Sequence, residues 1–342
     1  MAKKVYVGIS GGVDSAVCAL ILKEQGYDVT GFTLFLTDDA DLEGAKEVCL
    51  QLNIVHEILD LREDFKKYVT TPFLTTYAKG LTPNPCILCN KYIKFGKAID
   101  LLYDKTDFIA TGHYSSVIRD DFSGRLTFKK SIDESKDQTY MFWSLSQKQI
   151  EKVLMPLGGH TKGEIRKIAQ KNGLSVANSA DSQDICFLKN KSIKDYIFEN
   201  MPSALKKGEV VDTNGNLLGS HDGCIIYTLG QRKGLGVASD GKKYVVEIDA
   251  EKNQVILGEN EQLFSNKLIA ENANFLLFDK LTSQMEVEAK IRYAAKPAKA
   301  LISPFGDKVL VEFELPQRAI TPGQSVVFYK GDMLVGGGEI AK

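Results

Sequence analysis

The order of elements in this 342-residue chain predicts an α/β N-terminal domain with a Rossmann-like parallel sheet, then a small mostly-β central domain and a C-terminal β-barrel. Three observations predict it. Through about residue 190, short β-rich runs alternate with segments of helical periodicity. A glycine-rich turn joins the first of those runs to the first helical segment. After about residue 203, helical spacing gives way to alternating strands separated by turn pairs. The predicted boundaries are 1–202, 203–262 and 263–342.

Taken in order, residues 5–9 read as a buried strand. Residues 14–25 form a helix with Val17, Leu20 and Ile21 at helical spacing, and Gly26 stops it. A second strand over 29–35, a helix over 41–52 and a third strand over 54–59 follow. A fourth strand over 107–112 runs into Thr111-Gly112-His113-Tyr114. In open α/β sheets ligands lie beyond the C-terminal strand ends, so the turns after the first and fourth strands are expected to share a ligand. Thr161 and Glu164 have capping-box spacing, and Lys162, Arg166 and Lys167 make the helix they open basic: either a solvated face or an RNA grip. Asn214-Gly215, between Val210-Val211 and Leu217-Leu218, predicts a hairpin. Runs at 285–291, 309–313 and 325–329 between Gly/Pro turns predict the closed barrel.

Composition narrows the function classes. Apolar residues make up 44% and charged residues 25%, the balance of an ordinary soluble globular protein. No run approaches the roughly 20 apolar residues of a membrane span, which predicts no membrane partner. Met-Ala-Lys-Lys leads directly into the first strand without a secretory apolar region, so a cytoplasmic location is expected. Six cysteines are too sparse for a disulfide scaffold, and 43 basic against 44 acidic residues require any nucleic-acid contact to come from a local patch.

Two segments carry chemistry. Gly8-Ile9-Ser10-Gly11-Gly12-Val13-Asp14-Ser15 joins strand to helix, where glycines let backbone N–H groups approach an anion and the helix N-terminus adds donors. The Lys-Ser/Thr pair of a Walker loop is missing, which implies a different cleavage of the nucleotide. The second segment is Thr82-Pro83-Asn84-Pro85-Cys86-Ile87-Leu88-Cys89-Asn90-Lys91. A helix expected over 91–103 puts Cys89 near its N-terminus, where the dipole and Lys91 would favour thiolate. Cys186 stands in the polar loop Asp181-Ser182-Gln183-Asp184-Ile185-Cys186-Phe187, whereas Cys18, Cys49 and Cys224 fall in apolar periodic segments and read as core.

SGGVDS resembles the PP-loop of N-type ATP pyrophosphatases. Together with TPNPCILCNKYIKF, TGHY, SKDQTYMFW, DSQDICF and YTLGQRKGLG, it resembles the bacterial tRNA-specific 2-thiouridylases (MnmA-type) in order and spacing over essentially the whole chain. The resemblance implies a PP-loop adenylation domain, a central domain and a tRNA-binding barrel. It implies ATP contacts by Gly8, Ile9, Ser10, Gly11, Gly12, Val13, Asp14, Ser15, Leu34 and Gly112, with Asp14 helping to hold Mg²⁺. Cys89 would be the nucleophile and Cys186 the persulfide carrier. Asn84, Pro85 and Cys86 would lie near the target base, with further tRNA contacts by Lys136, Asp137, Gln138, Arg292 and Tyr293. Implied partners are tRNAs with Lys-, Glu- and Gln-type anticodons and a cysteine desulfurase or sulfur-relay protein.

The chain departs from the family at Cys86, where many members have Asp. Cys86, Cys89 and Cys186 could thus ligate a [4Fe–4S] cluster with an open iron, in place of persulfide chemistry. A PP-loop amidating ligase is the enzymatic rival, and a non-catalytic RNA-binding scaffold is the other.

Overall fold

The computed structural model describes residues 2–38, 40–179, 185–189, 191–237 and 241–342. Its first sheet contains β1 (Lys4–Gly8), β2 (Asp28–Phe35), β3 (Val55–Asp60), β4 (Phe108–Thr111) and, beyond a hairpin of β5 (Ser115–Arg119) and β6 (Leu126–Lys130), β7 (Val153–Leu154). The order is β3-β2-β1-β4-β7 and every pairing is parallel. Val5 and Val7 are fully buried at its centre, as a strand covered on both faces requires. The helices Val13–Glu24 and Leu42–Gln51 bury Ala16, Val17, Cys18, Val48 and Cys49, so Cys18 and Cys49 are core residues as expected. The strand order reverses at β1, so the loops leaving β1 and β4 flank the crevice where an open α/β sheet binds its ligand.

Residues 62–78 are one helical rod with a π-helical middle, Lys66–Thr70, which the sequence pattern did not reveal. A second rod spans 85–102: Pro85–Leu88, the π-helical Cys89–Lys97, and Ala98–Leu102. It starts six residues before the expected helix over 91–103, because Pro85 fits a first helical turn that needs no N–H. Cys86 and Cys89 therefore both lie inside it.

The central sheet comprises β8 (Gly208–Asp212), β9 (Leu217–His221), β10 (Tyr244–Asp249) and β11 (Gln254–Gly258), in the order β10-β11-β8-β9. The hairpin expected at Asn214-Gly215 joins β8 to β9. This sheet's apolar face, with Val210, Val245 and Val255, shares one core with Phe65, Phe73, Cys89, Ile93 and Ile197. The helical rods are thus the floor on which the central sheet rests.

At the C-terminus β12 (Phe264–Phe275), β13 (Met285–Lys290), β14 (Ala298–Phe305), β15 (Lys308–Arg318), β16 (Ser325–Lys330) and β17 (Met333–Ile340) form a six-stranded antiparallel barrel, closed by β12–β17 pairing. The hairpin β5–β6 leaves the first sheet and extends this barrel: Lys129 pairs with Met333 and Thr127 Oγ1 donates to the Leu334 carbonyl at 2.5 Å. Trp143 packs against β17 because Gly337 has no side chain; a Cβ there would stand 2.7 Å from its ring. No helix among the described residues is long and apolar enough to cross a membrane.

Candidate functional site

The loop after β1 has the geometry of an anion cradle. Gly11 takes a positive φ of 77°, and the helix Val13–Glu24 begins at Gly12 with no side-chain cap. The helices starting after Ser146, Thr161 and Ser192 carry full capping boxes. The Ser15 hydroxyl donates to the Gly12 carbonyl at 2.9 Å and accepts from the Ser10 N–H at 3.2 Å, closing the loop on itself. First-turn N–H groups left without a side-chain acceptor suit the phosphates of a nucleotide. From β4, Gly112 packs directly on this loop: a Cβ there would meet the backbone of Asp14 and Ser15 at 2.7 and 2.8 Å. Leu34, half-buried near the end of β2, borders two of the cores. The ten residues expected to hold ATP thus lie in the β1 loop, near the end of β2 and just after β4, all at the C-terminal edge of the sheet.

Asp14 stands at the N-terminus of the first helix and is fully engaged. Lys162 Nζ lies 2.7 and 2.8 Å from its two carboxylate oxygens, and the Tyr114 hydroxyl donates to Oδ1 at 2.7 Å. Lys162 therefore belongs to the nucleotide loop and not to an exposed basic face. Arg166 likewise donates to the Ala177 and Ser179 carbonyls at 3.0 Å, so the basic helix read from the sequence turns its first two cations inward. One carboxylate plus substrate phosphates is a usual Mg²⁺ environment, so Asp14 fits that ion.

The cysteines differ from the expectation in their electrostatics. Burial pushes the Cys89 thiol up to about 12, with only the Lys94 ammonium opposing it. Cys86 is raised by burial too, again against Lys94. Lys91, expected to favour thiolate, instead covers the Tyr92 ring at 5.2 Å. The helix dipole and Lys91 therefore do not set the charge of Cys89: its thiol lies in an apolar core, and Lys94, five residues on, is the neighbouring cation. Cys186 is exposed and within electrostatic reach of both Cys86 and Cys89, and all three are free thiols. Asp181, Ser182, Gln183 and Asp184 of its loop lie outside the described residues. Among the described residues no three His, Cys, Asp or Glu groups converge as metal ligands.

Lys94 and His113 bridge the two segments. Lys94 Nζ approaches His113 Nε2 at 3.4 Å, and His113 Nδ1 lies 2.7 Å from the Thr111 hydroxyl. An ammonium only donates, so Nε2 accepts and Nδ1–H donates to Thr111. Burial, with Lys94 beside it, holds this imidazole well below its ordinary range and therefore neutral at pH 7.

Around Cys86 the barrel meets the helical rod. Gln324 Nε2 donates to the Thr82 and Pro83 carbonyls at 3.1 Å each, and Thr82 N–H donates to the Pro322 carbonyl at 3.0 Å, fixing the approach to Asn84 and Pro85. Tyr140, within hydrogen-bonding reach of Asn84, meets Tyr293 edge to face at 6.1 Å. Lys290 lies over both rings, at 5.9 and 5.6 Å. Arg292 is exposed beside them and Tyr293 is partly so. Asn84, Pro85, Cys86, Arg292 and Tyr293 are thus brought together. Asp137 is buried and accepts from Ser131 N–H and the Thr139 hydroxyl, while Gln138 accepts from Tyr114 N–H at 2.8 Å. Both spend those side-chain groups inside the protein, and Lys136 and Gln138 are half-exposed. Sequence reasoning missed Lys94, Lys290 and Gln324 and read Lys162 as part of a solvated or RNA-gripping face; TGHY was the only local signal that pointed to His113.

Three family models match consecutive parts of the chain: a tRNA methyl transferase HUP domain over residues 3–190, a tRNA methyl transferase PRC-barrel domain over 194–259 and an aminomethyltransferase β-barrel domain over 265–340. The chain is 48% identical to the tRNA-specific 2-thiouridylase MnmA of Clostridium acetobutylicum, over 99% of this chain and 100% of that protein. It is 49% identical to an MnmA of Clostridium tetani, over 99% and 97%, and 44% identical to that of Clostridioides difficile, over 100% and 99%. The model descriptions speak of methyl transfer, but likeness over whole chains decides between the two names. With loop, cysteines and barrel in the expected order, the chain belongs to the tRNA-specific 2-thiouridylase family.

Proposed function

We propose that the chain adenylates the C2 oxygen of the wobble uridine of a tRNA with ATP and replaces that oxygen by sulfur carried on Cys186. The observation that supports it best is the Lys94–His113–Thr111 link, which ties the strand end beside the nucleotide loop to the helix bearing Cys86 and Cys89. Activation and sulfur delivery can then share one site.

The uracil oxygen is a poor leaving group until esterified. In the first step O2 attacks the α-phosphorus, the Pα–O bond to pyrophosphate breaks and N3 loses its proton; the loop from Ser10 to Ser15 holds the departing anion. In the second, the terminal sulfur of a Cys186 persulfide attacks C2 and AMP leaves. The Cys89 thiol then attacks the inner sulfur as its proton passes to the departing thiouracil, freeing the thiocarbonyl product and leaving a Cys89–Cys186 disulfide that an external thiol reduces. A desulfurase or relay protein reloads Cys186, whose exposure suits such a donor. Asp14 would hold Mg²⁺ once Lys162 yields it.

The proposed domains are 1–202, 203–262 and 263–342, the barrel gripping RNA through Arg292 and Tyr293 while the uridine leaves its stack to reach Cys86. Reduced thiols and a tRNA pool make the cytoplasm its natural location. The test is nucleoside mass spectrometry of unmodified tRNA after incubation with ATP, Mg²⁺ and a persulfide donor, using chelator-stripped protein. 2-Thiouridine supports the reading; product only after iron and sulfide reconstitution would replace it with cluster chemistry. An amidating ligase would keep its activity when Cys89 and Cys186 are both serine.

A further inference from the structure

The nucleotide loop lacks the lysine that a Walker loop carries in its own sequence, yet the fold brings one in from 148 residues away. Lys162 opens the helix Lys162–Lys171, whose start is fixed by the reciprocal Thr161–Glu164 cap and by a hydrogen bond from Lys162 N–H to Asp133 Oδ2 at 3.0 Å. Ile165 and Ala169 of that helix pack in the same core as Val13 and Val17 of the helix that follows the loop. Contact between Lys162 and Asp14, each at its helix start, brings the two N-termini together. The ammonium then sits beside the uncapped N-terminus of the helix Val13–Glu24, whereas the N–H groups that open its own helix are taken by Asp133 and Thr161.

The lysine is only 12% exposed and Asp14 32%, so the pair sits at the crevice wall and is not a solvated surface bridge. The same carboxylate also accepts from Tyr114. An anionic triphosphate with a divalent cation would offer each partner of the pair a stronger counter-charge than the other.

Resting on the adenylation reading, we infer that Lys162 is a catalytic cation of the first step: it leaves Asp14 when ATP and Mg²⁺ enter and binds the phosphate chain, where it neutralises the charge that grows on pyrophosphate as the Pα–O bond breaks. Asp14, released, turns to the divalent ion. The pair is therefore a placeholder that keeps each charge compensated until the nucleotide arrives.

The test measures tRNA-dependent pyrophosphate release under single-turnover conditions at saturating ATP and Mg²⁺ for the wild type, K162M, K162R, D14N and the D14N/K162M double variant. Thermal melting reports that each is folded. K162M is expected to slow pyrophosphate release by roughly 10²–10³-fold, the usual effect of removing one group that stabilises transition-state charge. K162R should retain more, and tRNA affinity should be unchanged. The double variant should be slower than D14N alone. Release by K162M within threefold of wild type, or a double variant as fast as D14N, would overturn the inference, because a lysine that merely balanced Asp14 becomes dispensable once that charge is gone. If K162M melts early, K162R and the comparison of the double variant with D14N still decide. Failure of the wild type to release pyrophosphate would instead overturn the adenylation reading and this inference with it.

Discussion

Substituting Gly112 by alanine tests the coupling of β4 to the nucleotide loop. The new methyl group would stand 2.7 Å from the Asp14 carbonyl carbon, 2.8 Å from the Ser15 nitrogen and 2.9 Å from the Asp14 oxygen. Favourable carbon contacts lie at about 3.5–4.0 Å, so the backbone of one segment must retreat by about 0.8 Å or more. All three obstructing atoms are main chain, so no rotamer change relieves the clash. Overpacking of this kind costs about 1–3 kcal/mol. If the loop is what retreats, its donors leave the phosphate position and the cost falls on ATP binding. Since 1.4 kcal/mol is tenfold, the affinity for ATP should weaken by about 5- to 150-fold. Equilibrium binding of ATP to Gly112→Ala measures this, with Gly159→Ala as control, because a Cβ at Gly159 meets nothing within 4 Å. A Gly112→Ala protein that binds ATP within twofold of wild type would refute the reasoning.

Three further outcomes are expected. Iodoacetamide at pH 7.5 should label the exposed Cys186 well before Cys89, as read by peptide mass spectrometry; equal labelling would contradict the burial of Cys89. Because burial raises the Cys89 thiol from 9.0 to about 12, keeping it neutral favours the fold fully below pH 9 and ever less from there toward 12, so melting should fall over that window less steeply in Cys89→Ala than in wild type. Arg292→Ala should weaken tRNA binding without changing ATP affinity and should lower the slope of log affinity against log salt by about 1; an unchanged filter-binding curve would remove Arg292 from the RNA contact.

The parts of this molecule that were legible in the sequence are those governed by local rules. The loop after β1, the stop at Gly26, the Thr161–Glu164 cap and the Asn214-Gly215 hairpin are set by residues within a few positions of one another, and they form as expected. Cys18, Cys49 and Cys224 lie in apolar periodicity and are buried. What could not be read depends on partners far away in the chain. Lys162 looked like surface charge because Asp14 is 148 residues off. Lys94 was overlooked in favour of Lys91, since ordinary helical spacing does not anticipate a π-helical stretch, in which register advances toward five residues per hydrogen-bonded step. Asp137 and Gln138 look like solvent-facing polar residues until the N–H groups of Tyr114 and Ser131, at the two ends of the hairpin β5–β6, bond to them.

The hairpin β5–β6 has a consequence for how the molecule could be divided. Only Gly112, His113 and Tyr114 separate the last residue of β4 from the first of β5, and β6 is bonded to β17 of the barrel. Three residues of main chain therefore form a short gauge between the place where a nucleotide is held and the wall against which an RNA would lean. A chain cut near residue 202 would keep the gauge but strip its far end, exposing an unpaired edge open to association with other chains. Exchanging the barrel for a relative's would reset the gauge unless the hairpin travelled with it. Inherited or engineered, the two ends are one part.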